Sequence, residues 1–232
     1  MGWLRTFLFS NIGMKLMMAA SGLVLVGFVI VHMIGNMQIY LGPDVFNEYA
    51  AKLQGTKELL WAVRITLLAS VFVHILSAVA LTRRSRAARP TGYKQQKWMS
   101  GSYAVRTMRW GGVILLLFIV FHILHLTVGA VGPEVHHCEV AGKYLECHAY
   151  DNVIRGFSHP LVAGFYIVAQ LALGLHLAHG IWSMFRTFGV GNPRFDTIAR
   201  RIAVAFSTLI TVGNISIPVT VYFGLIGSGV HP

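Results

Sequence analysis

FYIVAQLALGLHLAHGIWSMFRTFG, residues 165–189, decides the fold class. From 165 to 185 it carries no Asp, Glu, Lys or Arg. A stretch of about 20 predominantly apolar residues is long enough to cross a bilayer as a helix. Yet this one holds two histidines three residues apart, His176 and His179. An ionisable side chain in hydrocarbon is costly and calls for a functional reason.

The rest of the chain repeats the pattern. Five stretches read as spans: 16–40, 59–81, 110–131, 157–185 and 202–230, the second carrying one charge, Arg64. Backbone groups in lipid must be satisfied within the segment, so each span is read as a helix. Pro218 is expected to kink the fifth. The whole chain of 232 residues is 55% apolar and only 12% charged, about half the charge of a soluble domain. The reading is therefore an all-α integral membrane protein, a single membrane domain over residues 1–232, with no room for a separate aqueous domain. The N-terminal segment MGWLRTFLFSNIGMK leads into an apolar run too long for a signal peptide, so the first span is read as retained.

Net charge is +11, but the basic residues lie in short blocks between spans, so nucleic-acid binding is excluded. The segment TRRSRAARPTGYKQQKWMSGSYAVRTMR has eight Lys/Arg and no acid. Arg186, Arg194, Arg200 and Arg201 follow span four, and Arg5 and Lys15 precede span one. The loop PEVHHCEVAGKYLECHAYDN has four acids and one Lys. Positive charge marks the cytoplasmic side. The expected placement is the cytoplasmic membrane, N-terminus inside and C-terminus outside. Cys138 and Cys147 then share an outer loop, where a disulfide is expected. His136, His137 and His148 offer a metal site as the alternative.

Histidines occur in spans one to four: His32, His74, His122 with His125, and His176 with His179. Depth sorts them. At about 1.5 Å of rise per residue, His74 lies roughly 13 Å before Arg83 and His176 roughly 15 Å before Arg186. By the same rise, His32 is roughly 25 Å beyond Lys15 and His122 roughly 20 Å beyond Arg109. Helices two and four share an inner level; helices one and three share an outer one. Two imidazoles on facing helices can fill both axial positions of a haem, which suits electron transfer. Two haems at two depths would carry electrons across the bilayer. No C-x-x-C-H motif is present, so the haems would be non-covalent, b-type. Spacing alone chooses neither between His122 and His125 nor between His176 and His179. Arg64 at the outer level, and His179 and Arg186 at the inner level, are candidate propionate partners. Gly35, Ser77, Ala78 and Gly180 are candidate small neighbours for a porphyrin.

SNIGMKLMMAASGLVLVGFVIVHMIGN, GGVILLLFIVFHILHLTVG and GFSHPLVAGFYIVAQLALGLHLAHGIWSMFRTFG resemble the cytochrome b subunit of succinate dehydrogenase (succinate:quinone oxidoreductase) in its single-subunit, five-helix, dihaem form. The most specific element is H-x-x-x-G-x-W-S followed by T-x-G, residues 176–189. The resemblance implies His176 rather than His179 and His122 rather than His125 as ligands, beside His32 and His74. It pairs His74 with His176 and His32 with His122, leaving His125 and His179 beside the haems. It implies a flavoprotein partner with FAD that oxidises succinate, an iron–sulfur partner, and a quinone acceptor, expected to be menaquinone. Asn36 and Gln38 outside, and Ser10 and Lys15 inside, are candidate quinone contacts. The alternatives are a quinol:fumarate reductase anchor, another dihaem cytochrome such as that of a hydrogenase or formate dehydrogenase, and a haem-free transporter with structural histidines.

Overall fold

The computed structural model describes residues 2–88, 91, 103–132, 139–141, 144–146 and 149–227. Cys138, Cys147, His136, His137 and His148 of the outer loop lie outside the described residues. The elements run α1 (Gly2–Leu8), α2 (Asn11–Met37), a 3-10 turn (Gln38–Leu41), α3 (Pro43–Gly55), α4 (Lys57–Ala87), α5 (Tyr103–His122), a π turn (Ile123–Val128), β1 (Glu139–Ala141), β2 (Tyr144–Glu146), α6 (Ala149–Ser158), α7 (Pro160–Thr187) and α8 (Pro193–Tyr222). The fold is all-α apart from the three-residue antiparallel ribbon β1–β2. Five helices are long and apolar enough to cross a membrane. Their outward faces carry large apolar side chains, such as Phe72, Leu117 and Leu209, each more than 60% exposed, as surfaces meeting lipid do.

Local signals explain where the helices begin. Ser10 caps α2 by accepting from the Gly13 N–H at 3.0 Å, and Asn192 caps α8 by accepting from the Arg194 N–H at 2.9 Å. Proline opens α3, α7 and α8, where its missing N–H costs nothing. Gly42, at φ 101°, supplies the left-handed turn before α3.

The helices differ in several places from the hydropathy reading. The fourth long helix begins at Pro160, not 157; residues Ala149–Ser158 form a separate helix, α6. The fifth covers Pro193–Tyr222 instead of 202–230 and continues through Pro218. It takes in Arg194, Arg200 and Arg201, because a helix end in the polar interface tolerates charge that an apolar window rejects. The first connection contains an unforeseen amphipathic helix, α3.

The end with the basic loops is the inner end, and the opposite end is the outer. α4 packs along α2, α5 along α7, and α8 along α7, while α2 also touches α7 and α8. At the inner end Arg84 of α4 donates to the Phe9 carbonyl at 2.8 Å and to Asn11 Oδ1 at 3.0 Å, tying α4 to the start of α2. Small residues let α7 and α8 approach closely: Ala169 and Ala203 are wholly buried, and Gly174 faces Thr211 with no space for a Cβ. Close approach through small residues is how helices associate in lipid, where apolar burial between them gains little. One buried cluster joins Met33, Leu177, Ile181, Ala203 and Ile210 across α2, α7 and α8. A second, at the outer end, joins Phe46 of α3, Tyr150, Ile154 and Phe157 of α6, Tyr166 of α7 and Ile217 of α8. There Asn47 Oδ1 accepts from the Tyr150 N–H at 2.9 Å, so α3 caps α6.

Candidate haem-ligand pairs

The structure brings four of the histidines together in two couples. The rings of His74 (α4) and His176 (α7) have centroids 6.2 Å apart. Those of His32 (α2) and His122 (α5) are 5.8 Å apart. His74 lies beside Met18, Ser21 and Gly22 of α2. His32 is ten residues beyond Gly22 on the same helix, about 15 Å of helical rise. The two couples therefore occupy two depths.

Each couple meets the requirements of haem iron better than those of a bare metal ion. Among the described residues no group of three or more His, Cys, Asp or Glu is placed to hold an ion. A bare zinc ion takes three or four protein ligands, whereas haem iron takes one or two axial ones. Two imidazoles that each bond one iron at about 2 Å through a ring nitrogen, with the ring centre about 1 Å beyond, place their centroids about 6 Å apart. Both observed separations agree with that figure.

Tautomers support the same use. His74 Nδ1 is 3.0 Å from the Met18 carbonyl oxygen. A carbonyl only accepts, so Nδ1 carries the proton and Nε2 keeps the lone pair that a metal needs. Gly22 makes room for this ring: a Cβ there would stand 3.3 Å from His74 Cε1. His176 Nδ1 is buried with no hydrogen-bond partner. His32 is stacked on Phe28, with centroids 5.2 Å apart.

His122 and His125 part company after the helix widens. The π turn Ile123–Val128 buries His125 completely. Its ring is enclosed by Gly132 and Gly156, where a Cβ would come within 2.7 Å and 2.8 Å of ring carbons. His125 Nδ1 is 3.0 Å from Tyr166 Oη, and His122 Nδ1 is 3.2 Å from the same oxygen.

The remaining candidates lie further out. His179 packs edge-on to Trp182, with centroids 5.6 Å apart. Arg186 is exposed; it reaches Asp196 at 3.8 Å and stands over the Trp182 ring. Arg64 lies over Trp61 at 5.3 Å. Ser10 is occupied as a cap. Gly35 faces Tyr49 of α3, not a histidine, while Ser77 is buried and Gly180 has open space around it. Sequence reasoning missed Tyr166, which reads as one more aromatic in an apolar helix, and Arg155, a half-buried cation of α6 next to the glycine that abuts His125. It also missed Gly22, one small residue among several in α2.

No protein-family model matches the chain and no solved structure matches it significantly. A curated protein is similar along most of its length: the succinate dehydrogenase cytochrome b558 subunit of Bacillus subtilis (strain 168), 27% identical over 199 residues, covering 83% of this chain and 88% of that protein. This likeness supports a membrane-anchor cytochrome b role in the succinate:quinone oxidoreductase family.

Proposed function

We propose that the chain anchors a succinate:quinone oxidoreductase in the cytoplasmic membrane and holds two b haems. The observation that carries this reading is the pair of imidazole couples, each drawn from two different helices and set at two depths. His74 and His176 would hold the inner haem, His32 and His122 the outer. A haem held by two imidazoles supplies a one-electron carrier with both axial positions filled.

The chain's own residues orient and shield those ligands. The Met18 carbonyl fixes His74. Phe28, Phe118 and Phe121 stack on His32, His122 and His125 respectively and exclude water. Arg64 and Arg155 would meet outer propionates, and His179 and Arg186 inner ones. Arg84, Arg86, Arg194 and Arg200, all exposed at the inner end, favour docking of an iron–sulfur partner that receives electrons from an FAD flavoprotein oxidising succinate. The acceptor is a quinone, expected to be menaquinone; Asn36 and Gln38 at the outer end, or Lys15 at the inner end, remain its candidate contacts. The orientation read from the loops, N-terminus cytoplasmic, puts the docking face in the compartment that holds succinate.

The test is to isolate the chain with its partners from membranes and add succinate. The expected result is co-isolation of a covalent-flavin protein and an iron–sulfur protein, with haem reduced by succinate. A haem-loaded complex that dithionite reduces but succinate does not, and that lacks a flavoprotein, would overturn the assignment.

A further inference from the structure

We infer that Tyr166 is the positioning residue of His122, and that buried His125 sets the direction of the Tyr166 hydroxyl. This rests on the reading of His122 as an outer haem ligand. Tyr166 Oη lies within hydrogen-bond distance of both imidazole Nδ1 atoms. A phenol has a single proton. Among the described residues these two nitrogens are the only hydrogen-bond partners of the hydroxyl, so it donates to one and accepts from an N–H on the other.

Ligation removes the ambiguity. A neutral imidazole that gives its Nε2 lone pair to iron carries its proton on Nδ1. His122 Nδ1–H therefore donates to Tyr166 Oη, and the Tyr166 O–H donates to His125 Nδ1. His125 is then the Nε2–H tautomer. That leaves His125 Nε2–H without a partner, which is the buried, unsatisfied atom observed there. Leaving a buried donor unpaired carries a free-energy penalty. It is sustained because the ring is enclosed by Gly132 and Gly156 and cannot turn. His125 is thus no spare ligand: its geometry holds it as an acceptor aimed at a tyrosine. Tyr166, 5% exposed, is packed edge-on by Phe118 and Phe157 at 5.1 and 4.7 Å and has little freedom to turn elsewhere.

The arrangement has an electronic consequence. A hydrogen bond from Nδ1–H to an oxygen makes the imidazole a stronger donor to its metal, and stabilises the oxidised iron. The Tyr166 O–H bond to His125 makes that oxygen a better acceptor, because linked hydrogen bonds reinforce one another. The outer haem's potential is held down by this relay, and the inner haem's potential is independent of it.

The experiment is redox titration and low-spin electron paramagnetic resonance of the isolated complex, with haem counted per chain. In Tyr166→Phe, which keeps the ring, both haems are retained, the outer potential rises and its low-field signal moves, and the inner haem is unchanged. His125→Leu shifts the outer haem in the same direction by less. Outer-haem values unchanged in both variants, or equal shifts of both haems, would overturn the relay while leaving the dihaem reading intact. If Tyr166→Phe loses the outer haem, His125→Leu decides: an upward shift of that haem alone supports the relay, and no shift overturns it. Wild-type complex without haem would instead sink the reading on which the relay rests.

Discussion

At the inner level, His74 is held by a backbone carbonyl, that of Met18 at 3.0 Å. At the outer level, His122 is held by a side chain, Tyr166 at 3.2 Å, which is itself shared with a second histidine. His176 Nδ1 has no hydrogen-bond partner among the described residues. A backbone acceptor is fixed by helix geometry, and no single substitution removes it. A side-chain acceptor can be altered or lost by one. The outer site is therefore the adjustable one, and the inner site the one built into the helix pair α2–α4.

The comparison can be broken at several places, beginning with the largest effect. His176→Ala should remove the inner haem and leave the outer, and His32→Ala should do the reverse, each halving haem per polypeptide in a quantitative optical assay. Loss of both haems from either variant, with the complex still assembled, would mean that the two levels are not independent.

Next comes Gly156→Ala. The added Cβ would stand 2.8 Å from His125 Cε1, and overpacking of this kind costs about 1–3 kcal/mol. Thermal inactivation of the outer haem's spectrum should begin at lower temperature, with the inner haem's following only at global unfolding.

Asp196→Asn addresses the inner end instead. Asp196 accepts from the Trp182 N–H at 2.8 Å and from Arg200 Nε at 3.1 Å, and Arg200 lies over the Trp182 ring at 3.9 Å. This cluster joins the end of α7 to the start of α8. The group is open to water, which screens its ion pairs, so the loss should be small, read as a slightly lower unfolding midpoint with both haems retained. The smallest effect is expected at Gly22→Ala, whose Cβ would stand 3.3 Å from His74 Cε1. A few tenths of an ångström of ring movement accommodates it, so the inner haem should stay bound and its signal should shift slightly. A lost inner haem there would show that the α2–α4 pair is less tolerant than its backbone hydrogen bond suggests.

Five helices of spanning length were legible because hydrocarbon demands long uncharged segments, and the chain obeys. The ends were less legible. Residues 193–201 carry charge yet are helical: Asn192 caps the helix and Pro193 opens it, and charge is tolerated at a helix end outside the apolar stretch. α3 was readable in retrospect from Gly42-Pro43-Asp44 with Phe46 on its buried face. The hydropathy reading carried the fourth span two residues into α6 because only His159 separates α6 from α7.

Rise per residue alone sorts the histidines by height along their helices, since straight helices convert spacing into height. What the sequence hid was everything that depends on rotation about a helix axis. His122 and His125 differ in surroundings because the helix widens to a π turn between them, which no residue pattern announces. Tyr166 acquires its meaning only when α5 and α7 are set side by side. Gly35 went to Tyr49 of α3 because that helix itself was unforeseen.

The most direct test is a reduced-minus-oxidised optical spectrum of the isolated chain, with haem quantified per polypeptide. Two b-type haems per chain is the result expected from two imidazole couples at two depths. One haem would mean that one couple is structural, and none would contradict the account.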